Sequence, residues 1–245
     1  MLINVNICVY NTRRVWLEEA VHSVLSQTYK DLKLIIVDDG STSLETVQYL
    51  ESLCASSIKI LRHAENRGLP SARNTFLSNL DEDCEFIALL DSDDAMDVNR
   101  IELQVRAMRD CNVDILGTQI YGDIQTDHPL DITDQVFRTS LWFINNPSIM
   151  VRREVFDNVG NYSTEEEHRY VEDYELLTRC YVHGHVIKNL PLALTYYRVH
   201  DGQITHNEAK GSGKLLRRLR RDALREIRKK KIMCNLKRLL RCIHR

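Results

Sequence analysis

The stretch Phe86-Ile-Ala-Leu-Leu-Asp-Ser-Asp-Asp94 constrains this chain more than any other. Five apolar residues lead straight into three carboxylates within four positions. Burying each large apolar side chain stabilises a fold by ~1.5–3 kcal/mol. Gathering Asp91, Asp93 and Asp94 costs energy through like-charge repulsion. A buried strand that ends in fixed negative charge meets both demands. Helix capping accounts for one acid after a strand, and the other two are surplus to it. The usual reason to collect oxygen donors there is a hard divalent cation, Mn²⁺ or Mg²⁺. Such an ion is commonly held by one or two carboxylates plus substrate phosphates, so the substrate is expected to bring a pyrophosphate.

Around that strand the periodicity alternates. Ile3–Val9, Leu32–Val37, Ile58–Leu61, Glu85–Leu90 and Asp114–Ile120 read as strands. Leu17, Ala20, Val21, Val24 and Leu25 recur at helical spacing, as do Val47, Leu50, Leu53 and Cys54. Further helices are expected from Pro70 through Asn79, from Asn99, over Glu154–Gly160 and over Val171–His183, while residues 122–147 are polar and irregular. Strands alternating with helices predict an α/β fold, a mostly parallel sheet covered on both faces. Ligands of such sheets bind beyond the carboxyl ends of the strands. Asp38-Asp39-Gly-Ser41 follows one strand and Asp91-Ser-Asp93 another, so neighbouring strands would turn all four carboxylates to one crevice. Gly40 suits a tight turn there, and the Ser/Thr after it suit the cap of the next helix.

Charge divides the chain unevenly. Residues 210–245 hold 15 Lys/Arg against Asp222 and Glu226, whereas residues 1–209 hold 18 basic and 33 acidic residues. Gly211-Ser-Gly213 reads as a flexible joint. Beyond it Leu216, Leu219, Ala223 and Ile227 keep helical spacing, and Met233, Leu236, Leu240 and Ile243 resume it after Arg228-Lys-Lys-Lys231. The expected organisation is one domain over 1–209 and a basic amphipathic helical tail over 210–245. That tail suits an anionic membrane surface through 211–245, or packs its stripe on the domain. Nucleic acid is disfavoured, since the tail has no aromatic residue on which bases could stack. No run approaches the ~18–20 apolar residues that span a bilayer. The N-terminus reads as a strand rather than a secretion signal. Seven cysteines without a C-x-x-C pair, most of them among apolar residues, read as buried free thiols in a reducing compartment, with no zinc site. The expected location is the cytoplasm, or the cytoplasmic face of a membrane as a peripheral protein.

Two further clusters carry chemistry. Glu172-Asp173 opens a helix, where the dipole favours acids, and offers a general base for an acceptor hydroxyl. Tyr197-Arg-Val-His200 follows an apolar stretch. Its His200 suits a metal, and its Arg198 suits bidentate binding of a phosphate.

Taken in order, these segments resemble the family 2 glycosyltransferases, with their Rossmann-like GT-A fold. Val9-Tyr10-Asn11 is similar to the family's P-x-Y-N strand end, with Cys8 in place of Pro, and Ser23-Val-Leu-Ser-Gln-Thr-Tyr29 to its S-I-L-x-Q-T-[YF] helix end. Val37-Asp-Asp-Gly-Ser-Thr42, Asn66-Arg-Gly-Leu69, Ala72-Arg-Asn74, the D-x-D element Asp91-Ser-Asp93, Glu172-Asp173 and Tyr197-Arg-Val-His200 follow at family spacing, from about Ile3 to Thr205. The resemblance implies inverting transfer from a nucleotide diphosphate sugar, with UDP the favoured nucleotide, to a glycan or lipid-linked acceptor. It places Tyr10, with Asn11 beside it, and Asp39 at the nucleoside base. Asp38 and Asp91 come near the ribose, and Arg73 near the diphosphate. Asp93 would bind Mn²⁺ or Mg²⁺, with His200 completing the metal site. Asp173 would be the general base, supported by Glu172. Two other readings stay open on the residues alone: a nucleotidyltransferase acting on sugar phosphates, and an inactive sugar-nucleotide-binding module tethered to a membrane.

Overall fold

The computed structural model describes residues 1–53, 55–140, 142–203 and 213–243. Among these, eight strands form one sheet: β1 (Leu2–Val9), β2 (Leu32–Asp38), β3 (Ile58–Arg62), β4 (Cys84–Asp91), β5 (Ala95–Met96), β6 (Ile115–Gly122), β7 (Met150–Arg152) and β8 (Ile187–Tyr197). Their order is β3-β2-β1-β4-β7-β6-β8-β5. The pairs β1–β2, β1–β4, β2–β3 and β6–β8 are parallel, whereas β7 and β5 pair antiparallel to their neighbours.

The helices are α1 (Arg14–Leu25), α2 (Leu44–Ser52), α3 (Leu69–Leu77), α4 (Arg100–Asp110), α5 (Asp134–Thr139), α6 (Arg153–Val159), α7 (Glu172–His183) and α8 (Gly213–Ile243). Successive strand residues face opposite sides of the sheet, so each central strand feeds two cores. Ile3, Val5, Ile7, Leu34, Ile36 and Phe86 meet Leu17, Val21 and Val24 of α1 and Ile101, Val105 and Met108 of α4. On the other face Ile35, Val37, Ile87 and Leu89 meet Phe76 of α3, Phe156 of α6, and Leu177 and Cys180 of α7. The architecture is thus the covered, mostly parallel α/β sheet that the alternation predicts. Burial on both faces is why the strand sequences are near-continuous apolar runs.

Three points refine the reading of the sequence. Strands β2 and β4 are not neighbours; β1 lies between them, with Val9 opposite Asp38 and Cys8 opposite Asp91. The two acidic strand ends therefore flank a third strand on the same edge of the sheet. Cys111 is exposed, unlike the buried free thiols Cys84 and Cys180, because it lies past the last turn of α4. The first half of the basic tail is part of the domain: Leu216, Ala223 and Ile227 are buried in the same core as α7. The Gly211-Ser212 joint, the 209/210 boundary, Cys54, and the side chains of Cys234, Leu236, Leu240, Cys242 and Ile243 lie outside the described residues.

Candidate active site

The parallel strands aim their carboxyl ends at one edge, and the acidic side chains collect there. Asp38 ends β2 in a turn that only glycine can complete. Gly40 has φ +76°, and a Cβ there would come within 2.4 Å of the Glu65 backbone. The Asp38 carboxylate accepts from Ser41 N at 2.9 Å and faces Arg62 Nε at 3.1 Å. Asp39 is more fully engaged. It accepts from Arg67 N (3.0 Å) and Gly68 N (2.8 Å) and pairs with His63 Nδ1 at 2.6 Å. The Asn66-Arg-Gly-Leu69 loop is thereby tied to the β2 turn. Asn11 has a left-handed φ of 52°. Its carboxamide oxygen accepts from Thr42 N and Ser43 N, each at 2.8 Å. The chain entering α2 is therefore tied to Asn11, and the Ser43 side chain makes no cap hydrogen bond. Tyr10 stands beside these groups with its ring 51% exposed.

Arg73 is buried at the base of the cleft. Its Nη2 lies 3.3 Å from Asp91 Oδ1, and its Cζ lies 5.3 Å from the centre of the Tyr162 ring. With the Asn146 carboxamide turned oxygen-inward, that oxygen accepts from both Nη atoms at 2.7 and 2.8 Å. The neighbouring Asn74 clasps residue 162, donating to its carbonyl and accepting from its N–H, each at 2.9 Å. The A-R-N segment thus brings the 160s loop against the cleft. Asp91 is pushed up to about 6 by burial, reinforced by Asp93 and Asp173 and opposed by Arg73. Its carboxylate nonetheless remains 36% exposed at the cleft floor. Glu172 is pushed up to about 7, by burial first and then by Asp173. Asp173 is also raised by burial, with Arg73 opposing, and its Oδ1 accepts from Tyr174 N at 2.6 Å. Asp91, Glu172, Asp173 and Arg73 therefore feel one another's charge across one cleft.

The D-x-D turn is joined to the end of β8 by the antiparallel β5–β8 pairing, Ala95 opposite Tyr196. This register brings His200 Nε2 to 2.8 Å from Asp93 Oδ2. Gly202 N donates to His200 Nδ1 at 3.2 Å, which leaves the ring proton on Nε2, facing Asp93. The imidazole lies against Trp16 of α1, ring centres 4.4 Å apart. Asp94 points inward, accepting from Arg198 N at 2.9 Å, and burial pushes it up to about 9. It is a structural acid that holds the strap, not a third donor at the rim. Arg198 is not free for a phosphate: Nε donates to the Asp93 carbonyl at 2.9 Å and Nη2 pairs with Glu19. Its guanidinium also lies over the Trp16 and Tyr196 rings.

Residues 5–165 match the family model described as glycosyl transferase family 2. The chain belongs to that family. A Haemophilus influenzae uncharacterized glycosyltransferase is 27% identical over 225 residues, covering 82% of this chain and 67% of the relative. The Escherichia coli UDP-Glc:alpha-D-GlcNAc-diphosphoundecaprenol beta-1,3-glucosyltransferase WfaP is 29% identical over 217 residues, 85% of this chain and 82% of that protein. A Rickettsia felis uncharacterized glycosyltransferase is 40% identical over 111 residues, but the match spans only 18% of its length. Staphylococcus aureus TarS 1–349, solved with UDP-GlcNAc, superposes with a TM-score of 0.70 at 20% identity, over 83% of this chain and 60% of that one. That likeness establishes the shared GT-A fold.

In this family 2 member, Asp93 and His200 are the two side chains that would meet a metal ion at the strand ends. Asp93 and His200 offer a carboxylate oxygen and a ring nitrogen 2.8 Å apart, both partly open to solvent. That donor pair fits Mn²⁺ or Mg²⁺ with phosphates filling the remaining positions. Ligation through Nε2 requires its proton to leave. Asp91 is directed to Arg73 instead. Among the described residues, one ready-made set of three ligating side chains, Glu165, Glu167 and His168, lies on a largely exposed turn. Sequence reading missed Trp16, Arg62, His63, Asn146 and Tyr162. Arg62 and His63 were findable, since they end a parallel strand at the ligand edge. The other three are brought in by long-range packing and leave no local signal.

Proposed function

We propose that this protein is an inverting glycosyltransferase that moves a sugar from a nucleoside diphosphate sugar, UDP being the nucleotide, to a hydroxyl of a glycan or lipid-linked acceptor. The observation that carries this reading is the meeting of Asp91, Glu172 and Asp173 around the buried Arg73, next to the Asp93–His200 pair. The UDP-Glc in the name of WfaP and the UDP-GlcNAc bound in TarS support the nucleotide. The basic segment 211–245 is read as meeting an anionic membrane surface on its cytoplasmic face.

In the reaction, the acceptor hydroxyl attacks the anomeric carbon from the side opposite the diphosphate, and Asp173 takes its proton. Tyr174 N occupies Oδ1 of Asp173, which leaves Oδ2 for the hydroxyl. Burial raises the basicity of Asp173, as a general base needs. Tyr10 offers an exposed ring for the nucleoside base, with Asn11 and Asp39 shaping the turn beside it and Asp38 and Asp91 towards the ribose. Arg73 offsets the negative charge of the cleft floor, near the diphosphate. Asp93 and His200 would hold Mn²⁺ or Mg²⁺, which would supply positive charge against the departing diphosphate.

The test is a donor screen by mass spectrometry across metals. The expected product is a nucleoside diphosphate, whereas pyrophosphate would mean nucleotidyl transfer. Asp93→Ala and Asp173→Asn should each lower kcat by roughly 10²-fold or more. Asp93→Ala should also weaken metal-dependent donor binding, and Asp173→Asn should spare it. Near-normal turnover of Asp173→Asn would remove that residue from the role of base.

A further inference from the structure

Helix α8 carries two apolar faces, and the domain covers one of them. Leu216, Ala223 and Ile227 are buried, with Leu219 partly so. At about 100° per residue these four positions fall within about 80° of one another. Lys230 Nζ donates to the Val182 carbonyl at 2.9 Å, so contact with α7 extends that far. Two residues later the pattern turns over: Ile232 and Met233 are 51% and 54% exposed. The backbone stays helical through Ile243. Positions 232, 233, 236, 239, 240 and 243 are all Ile, Leu or Met. In helical register they cluster about 150° round the axis from the packed stripe. Positions 231, 237, 238 and 241 are Lys or Arg and in the same register fall on the opposite side. The stripe that resumes after Arg228-Lys-Lys-Lys231 has therefore changed face.

We infer that the outer half of α8, from Lys231 onward, is a docking surface for an anionic lipid bilayer, lying in its interface while the inner half stays anchored in the domain. Charge selects this occupant. Arg228–Arg245 holds eight Lys/Arg and no Asp or Glu. A second copy of this helix would bring like charge against like, whereas an anionic surface neutralises it. An apolar face opposite a basic one is the pattern of a helix that lies in a membrane interface. No helix among the described residues is long and apolar enough to cross a membrane. The inference sharpens the membrane reading above by assigning contact to the outer half alone.

The experiment uses the full chain with phosphatidylcholine vesicles, with and without phosphatidylglycerol, at low and high salt. Expected is co-sedimentation with the anionic vesicles only, weakened by salt. I232E/M233E and K231Q/K237Q/R238Q/R241Q should each reduce it by roughly tenfold or more. Circular dichroism and thermal melts of both variants should match the parent. Binding that ignores phosphatidylglycerol, or that survives I232E/M233E, overturns the inference. So does a dimer in sedimentation velocity that I232E/M233E abolishes while vesicle binding is retained. Nucleotide release from a soluble donor is followed on the same samples. A chain that binds vesicles without turnover supports the inference, and one that turns over donor but ignores anionic vesicles overturns it.

Discussion

A buried guanidinium sets how much negative charge the cleft can hold. Arg73 opposes the upward shifts of Asp91, Glu172 and Asp173, yet Glu172 still reaches about 7 against an ordinary 4.5. Its Oε2 is buried without a hydrogen-bond partner, so the charged form is poorly compensated. Between those two pH values the folded chain binds more protons at this site than the unfolded chain, so stability falls as pH rises. Above about 7 the burial of charged Glu172 costs of the order of 3 kcal/mol. Glu172→Gln should therefore raise Tm at pH 8, and the gain should shrink towards pH 5. Thermal melts of both proteins at the two pH values check this. An equal Tm difference at both would mean that Glu172 does not titrate in this window.

At the scale of elements, what was legible followed from burial. Strands β1, β2 and β4 are buried on both faces and announce themselves as apolar runs. Strands β5 and β7, of two and three residues, exist only because distant partners pair with them. The β5 pairing nevertheless sets the Asp93–His200 contact, so the junction of the D-x-D and Y-R-x-H elements was legible only through the family resemblance and not from either segment's own pattern. The entry to α2 shows the same limit. Ser and Thr after Gly40 are ordinary caps, but the hydrogen bonds that hold this entry go to Asn11, some thirty residues earlier. Asn tolerates the left-handed backbone at that position better than Ala does. Asn11→Ala should cost about 1–2 kcal/mol in urea unfolding, from the hydrogen bonds lost at Thr42 N and Ser43 N. It should also weaken donor binding, because the Asp38-Asp39 turn loses its tie. Asn11→Asp keeps the acceptor oxygen and should recover most of the stability.

For the whole molecule, the uneven charge of the sequence divides an acidic body from a basic tail, whereas packing divides the tail helix itself. Charge runs along all of α8, but its described buried residues end at Ile227, and Lys230 still reaches α7. The inner half covers α7, the helix whose first residues are Glu172 and Asp173. Arg218 pairs with Glu167 at 2.7 Å, which ties the same half to the loop leading into α7. Net charge says where a segment is soluble and what it attracts, not where a core ends. Two truncations separate these readings. A chain ending at Lys230 keeps every residue of α8 that is buried among the described residues and should retain its Tm and its nucleotide release. A chain ending at residue 212 uncovers the Thr178 and Val182 side of α7 and loses the burial of Leu216 and Ile227, at ~1.5–3 kcal/mol each. Its midpoint in urea should fall accordingly, and kcat should fall with it because α7 positions the base. Equal stability of the two truncated chains would return all of α8 to the status of an appendage.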